Sequence, residues 1–327
     1  MINIFKGGST EQKKKITFIA IYATIAVIVC LLAALLITQI VANKNTPDPS
    51  GEGDVGSPTE SFTEEGVTAA QLHSGSLVLV NSEYKWSIED DPSMVLISEK
   101  YPNIPCVIAY PATYKAEPTA LKAFNQLMID AYKNISDAKI EVNAAYRTFA
   151  DQVELSSTPA GESEFHTGMA FRLVHSSENE KSVAINNSSL GDKYQWIYDH
   201  AHEYGFIVRY PENKAAITGQ DGISHIFRYV GVAHATYMKA NDLCLEEYLE
   251  LLRTTYSYEN PLAIKGADGK SYQVYYTAEN ENGNIMVPTR YGYEISGDNM
   301  NGYIVTINKS VKSTIKEATT TAPATTE

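Results

Sequence analysis

The chain has 327 residues, with 26 Lys+Arg against 39 Asp+Glu, a formal charge of −13 and three cysteines. At 44% hydrophobic and 10% aromatic residues it can build a sizeable core, which excludes a disordered or collagen-like chain. The acidic excess argues against nucleic acid as a partner, because a polyanion calls for a basic footprint, and three cysteines are too few for a disulfide scaffold.

The charge is unevenly spread. In residues 1–15, Lys6, Lys13, Lys14 and Lys15 stand against Glu11, giving +3, whereas 22 basic and 38 acidic residues from position 42 onward give −16. Residues 16–41 carry no charge and are long enough, at ~1.5 Å per residue, to cross a ~30 Å hydrocarbon layer as one transmembrane helix. The lysines before it and the acidic stretch after it predict a cytoplasmic tail at 1–15 and an extracytoplasmic remainder. The apolar run exceeds the h-region of a signal peptide and no small-x-small cleavage site follows, so an uncleaved single-pass anchor in the cell membrane is expected.

Residues 42–72, rich in Pro, Gly, Ser and acid, read as a disordered stalk, and 313–327 as a disordered Thr-rich tail. Between them the pattern is α+β. LVLVN (77–81) reads as a strand, and Leu121, Phe124, Leu127 and Ala131 recur at helical spacing within 119–134. A strand is predicted at 139–145, a short helix at 149–156, and a buried strand at 170–174. Asp192 is placed to cap a helix through Trp196 and His200 that stops at Gly205, with strands after it at FIVRY and HIFRYVG. Helices with Leu243, Leu245, Tyr248, Leu249 and Leu252 on one face close a domain at 73–258. Short alternating strands separated by Asn/Gly/Asp turns then predict a small β extension at 259–312, read as structural or as a dock for another envelope protein. Cys106 and Cys244, far apart in sequence, are expected to stay free.

Three colinear stretches carry a family resemblance: AAYRTFADQ (144–152), GESEFHTGMAFRL (161–173) and WIYDHAHEYGFIVRYPENKAAITGQDGISHIFRYVG (196–231). They resemble the VanY-type D-alanyl-D-alanine carboxypeptidases, zinc peptidases that trim peptidoglycan stem peptides. The resemblance implies a carboxypeptidase-like domain with an antiparallel sheet and packed helices. It also implies a site in which two histidines and an aspartate hold zinc while a glutamate takes a proton from the bound water. Aligned without gaps, those positions carry Phe165, Arg172, Ile226 and Ile223. Phenylalanine and isoleucine have no lone pair to offer, and arginine stays protonated. The chain is therefore expected to use no metal cofactor and to be a catalytically inactive pseudo-carboxypeptidase.

A competing reading keeps catalysis with an atypical metal site built from the neighbouring His166 and His225. Adjacent residues on extended backbone point to opposite faces, which argues against it. Arg147, Gln152 and Ser163 fall on positions that in the family face the substrate. With Arg172 they form a candidate binding set, the two guanidiniums gripping the terminal carboxylate of a stem peptide. Alternatively Phe165, Ile223 and Ile226 fill the void as an apolar plug, with Arg172 paired to Glu164 or Asp221 at its rim. His200 and His202, two apart on a helix, do not share a face and read as filler.

Overall fold

The computed structural model describes residues 61–177 and 181–312. The expected cytoplasmic tail, transmembrane helix and Thr-rich tail, with residues 42–60 of the stalk, lie outside the described residues. Among the described residues no helix is long and apolar enough to cross a membrane.

The chain begins with β1 (Phe62–Gly66), a helical turn Ala69–Leu72, β2 (Val95–Leu96), β3 (Val107–Ile108), β4 (Lys115–Ala116) and the long helix Pro118–Asn134. The middle consists of β5 (Ile140–Ala144), helix Phe149–Leu155, a 3-10 turn Glu164–Thr167, β6 (Ala170–His175) and β7 (Val183–Ala184). Helix Gln195–His200, β8 (Phe206–Val208) and β9 (Ile226–Tyr229) follow, then helices Val232–Ala240 and Leu245–Thr255. The extension holds β10 (Leu262–Lys265), β11 (Ser271–Thr277), β12 (Asn284–Pro288), β13 (Tyr291–Gly297) and β14 (Tyr303–Lys312). The result is a mixed α+β fold.

The central sheet runs β3-β5-β6-β9-β8, with β7 added beside β6. Among the described residues of this sheet only the β3/β5 pair is parallel. Helix Pro118–Asn134 covers one face because Ala120, Leu121, Phe124, Leu127, Met128 and Ala131 recur every three or four residues and are all buried. Glu117 accepts from the Ala120 amide at its start and Pro118 presets its first turn. Phe124 stacks on Phe171 of β6 at 4.2 Å and meets Phe206 of β8 edge-on at 6.1 Å. A Phe124→Ala change at this contact removes about 3–5 kcal/mol.

Three expectations need correction. The stalk does not extend to residue 72. β1 pairs with β12 along its whole length, Phe62 lies against Tyr258 and Tyr275, and Thr68 and Gln71 form a capping box for Ala69–Leu72. A polar segment is ordered here by a partner strand some 220 residues away, which local composition does not register. LVLVN is not a strand. Leu77 to Val80 are buried, and their backbone is satisfied by loop groups instead: Leu77 N–H donates to Ser296 Oγ, Leu79 N–H to Asp298 O, and Leu79 O accepts from Asn299 Nδ2. Asp192 caps no helix by its side chain. A 3-10 turn capped by Asn187 occupies 188–190, and the helix starts at Gln195 after Tyr194.

The extension has the alternation that was read from its sequence, as a sheet of order β10-β11-β14-β13 with its own core around Tyr275, Ile285, Val287, Val305 and Ile307. Cys106 and Cys244 are both buried and free.

Candidate functional site

Sheet register assembles the site. Ala144 of β5 lies opposite Arg172 of β6, and Arg172 lies opposite Ile226 of β9, so three strands place these residues side by side at one height. Directly opposed residues share a face of a sheet. Ser163, whose hydroxyl accepts from the Phe165 amide, opens the 3-10 turn that delivers Phe165 to the same place. Gly168 ends that turn at φ 67°, where a Cβ would overlap Met94 and the backbone of Glu117. Phe165, Ile226, Ala144, Ala170 and Tyr210 form one buried apolar cluster with Ile223 packed against it.

Arg172 is the charged member of this face. It is half-buried, and its Nε donates to Asn143 Oδ1 at 2.7 Å while an Nη donates to Asn143 O at 3.3 Å. It does not pair with Glu164 or Asp221. Glu164 is engaged by other arginines, and Asp221 lies in an exposed turn. Arg147 lies over the Phe165 ring at 4.7 Å and donates to Gln152 Oε1 at 3.1 Å. Burial, and next the positive charge of Arg172, lower the Arg147 pKa. Gln152 is fully buried with its Nε2 donating to Thr158 O, so both ends of its amide hold protein groups and it orients Arg147.

The two shifted histidines have different fates. His166 is fully buried. Its Nε2 accepts from the Gly161 amide at 3.0 Å, so Nδ1 carries the proton and donates to Arg147 O at 2.8 Å. Its ring packs on Phe149 at 4.8 Å. His225 precedes Ile226, and its buried Nδ1 has no hydrogen-bond partner. Burial, and then the charge of Arg172, push its pKa down to about 4, so it is neutral at pH 7.

These residues do not fit zinc. The positions that the resemblance assigns to ligands are an aromatic ring, a guanidinium and an isoleucine, and the one assigned to the general base is a second isoleucine. Among the described residues no group of three or more His, Cys, Asp or Glu side chains is placed to hold a metal ion. His166 has both ring nitrogens committed to backbone groups.

Beside the apolar cluster lies an ion network that sequence reasoning did not assemble. Glu164, adjacent to Phe165, has its carboxylate fully buried between Arg209, whose Nε donates at 2.5 Å, and Arg228, which donates to the other oxygen. Arg209 also forks onto Glu246 at 2.9 and 3.1 Å, and Arg228 donates to Ser76 O and Val78 O. Burial alone would raise the Glu164 pKa; the two guanidiniums overcome it and hold the carboxyl below its ordinary value. The repeated Arg-Tyr pairs in FIVRY and HIFRY were the available signal, since β8 and β9 are antiparallel neighbours. The acidic partners come from 45 and 37 residues away from Arg209, which no spacing rule reports.

A mixed sheet with helices carries at its centre a turn and three strands that bring Phe165, Ala144, Arg172 and Ile226 together. The family model for VanY, described as D-alanyl-D-alanine carboxypeptidase, matches residues 113–232. A D-alanyl-D-alanine carboxypeptidase of Enterococcus faecium is 30% identical over 260 residues, covering 76% of this chain and 80% of that protein. One of Enterococcus faecalis is 25% identical over 276 residues, 76% of this chain and 95% of that protein. The crystal structure of the vancomycin resistance D,D-dipeptidase VanXYg, in complex with a D-Ala-D-Ala phosphinate analog, superposes with a TM-score of 0.63 at 22% identity. It covers 76% of this chain and all of that one, a likeness of fold. The chain belongs to the VanY family of D-alanyl-D-alanine carboxypeptidases.

Proposed function

We propose that this chain is a non-hydrolysing member of its family, a pseudo-carboxypeptidase held at the outer face of the cell membrane by one N-terminal helix, which engages cell-wall peptide without cutting it. The observation that carries this reading is the register Ala144–Arg172–Ile226, which sets a guanidinium and apolar side chains where the hydrolytic relatives would need ligands. A guanidinium repels a dication and stays protonated, so it activates no water.

The binding half of the proposal is supported by the same charges. Burial and then the charge of Arg172 lower the Arg147 pKa, burial lowers that of Arg172, and their side-chain partners, Gln152 and Asn143, are neutral. A ligand carboxylate is the group that completes them, by charge-assisted hydrogen bonds that are stronger than neutral ones. The C-terminal carboxylate of a stem peptide has that chemistry. The test is to incubate the full chain, purified in detergent, with a stem pentapeptide ending in D-Ala-D-Ala. Saturable binding without release of D-alanine is expected. Release would restore the reading of an active enzyme with an atypical metal site built from His166 and His225, and absence of binding at millimolar peptide would leave the apolar cluster as a silent plug.

A further inference from the structure

Beyond that reading, a second cavity of about 640 Å³ opens between the family domain and the extension, and none of Phe165, Arg172, Ile223 or Ile226 lines it. Its volume lies within the ~300–1,000 Å³ of small-molecule sites. Tyr229 of β9 forms one wall and Tyr272 and Tyr293 of the extension the other. Its chemistry is set by which polar atoms are already used. Asp268 is held by Lys270 at 2.9 Å and by the Tyr272 hydroxyl at 2.7 Å, so that trio is internally satisfied. His234 is neutral and committed, its Nδ1 to Tyr248 and its Nε2 to Thr306. What remains, among the described residues, is the second oxygen of Glu117, whose first accepts from the Ala120 amide, the Glu294 carboxylate, the hydroxyls of Tyr229, Ser76 and Thr119, and the Asn308 amide nitrogen. Burial, and then Glu294 and Glu117, push the Tyr229 hydroxyl up to about 12, so it remains a donor at neutral pH.

Three acids against one lysine exclude an anionic occupant by charge repulsion. A purely apolar occupant would cover spare carboxylate oxygens and a hydroxyl without replacing their hydrogen bonds, at a cost of ~1–3 kcal/mol each. An occupant that offers many O–H donors, accepts from several hydroxyls and an amide, and presents an apolar C–H face to aromatic rings satisfies the wall. We infer that the cavity formed by Tyr229, Tyr272, Tyr293, Glu117 and Glu294 is a binding site for a neutral oligosaccharide. The extension then completes a second site that the peptidase-like domain lacks alone.

The experiment is calorimetric titration of the full chain in detergent with chitotriose and with cellotriose, both neutral, and with glucosamine as a cationic probe. Binding of at least one trisaccharide is expected, weakened by about tenfold or more in both Glu294→Arg and Tyr272→Ala at an unchanged unfolding midpoint. Glu294 is exposed on its strand, so its variant decides the matter if Tyr272→Ala does not fold. Failure of both trisaccharides at millimolar concentration, binding of glucosamine alone, or undiminished binding by Glu294→Arg each overturns the inference. None of these outcomes depends on whether the Arg147 and Arg172 site holds peptide.

Discussion

Glu164 and Phe165 are consecutive, yet they belong to regions that handle charge in opposite ways. Glu164 enters a network of two carboxylates and two guanidiniums in which Arg209 and Arg228 are wholly buried and each bonds a carboxylate. Phe165 enters an apolar cluster flanked by two further guanidiniums, Arg147 and Arg172, whose partners are amides and a carbonyl. The first arrangement is complete within the protein and ties the turn at 164–167 to β8, β9, the 76–80 segment and helix Leu245–Thr255. The second leaves two guanidiniums whose hydrogen-bond partners are neutral, and it is there that we propose a ligand carboxylate is received.

The comparison is broken most severely through Glu164. Glu164→Gln leaves Arg209 and Arg228 buried without their shared carboxylate, and should cost about 3–5 kcal/mol in urea unfolding. Because the folded-state pKa of Glu164 is depressed, its contribution is fully present above the unfolded value and is lost as pH falls below about 4.3. Wild type should therefore lose stability through that window, and Glu164→Gln should show a flatter profile there. A smaller gain is expected from reversing the substitutions at the neighbouring site. The triple variant Phe165→His, Arg172→Asp, Ile226→His places three donors on positions the register brings together, and zinc at a hundredfold excess over Kd should raise its stability by about 2.7 kcal/mol. The same zinc should leave the wild-type unfolding curve in place. The smallest stability effect is expected at Arg172 alone. Arg172→Leu removes a half-buried charge whose partners are neutral, and should change stability by less than about 1 kcal/mol while abolishing binding of a carboxylate-terminated peptide.

Much of this was legible in the sequence, for identifiable reasons. Helix Pro118–Asn134, β5, β6, β8 and β9 follow from local periodicity, and colinear motifs placed Phe165, Arg172, Ile223 and Ile226 on one site before any geometry was known. His166, beside Phe165 in sequence, has both ring nitrogens bonded to the backbone of Gly161 and Arg147. The features that escaped are those made by distant segments. β1 looks like linker because its order comes from β12, and 77–80 looks like a strand because its apolar residues are buried while its backbone bonds go to loop residues 296–299. Glu246 as a partner of Arg209, and Asn143 rather than an acid as the partner of Arg172, are likewise products of tertiary placement.

The central proposal is that a guanidinium and apolar side chains, rather than a metal, occupy this centre. The most direct measurement is the zinc content of the full chain after equilibration with excess zinc and removal of the unbound metal. The account predicts a content far below one zinc per chain, equal in wild type and in His166→Ala. One zinc per wild-type chain, lost in His166→Ala or in His225→Ala, would contradict it.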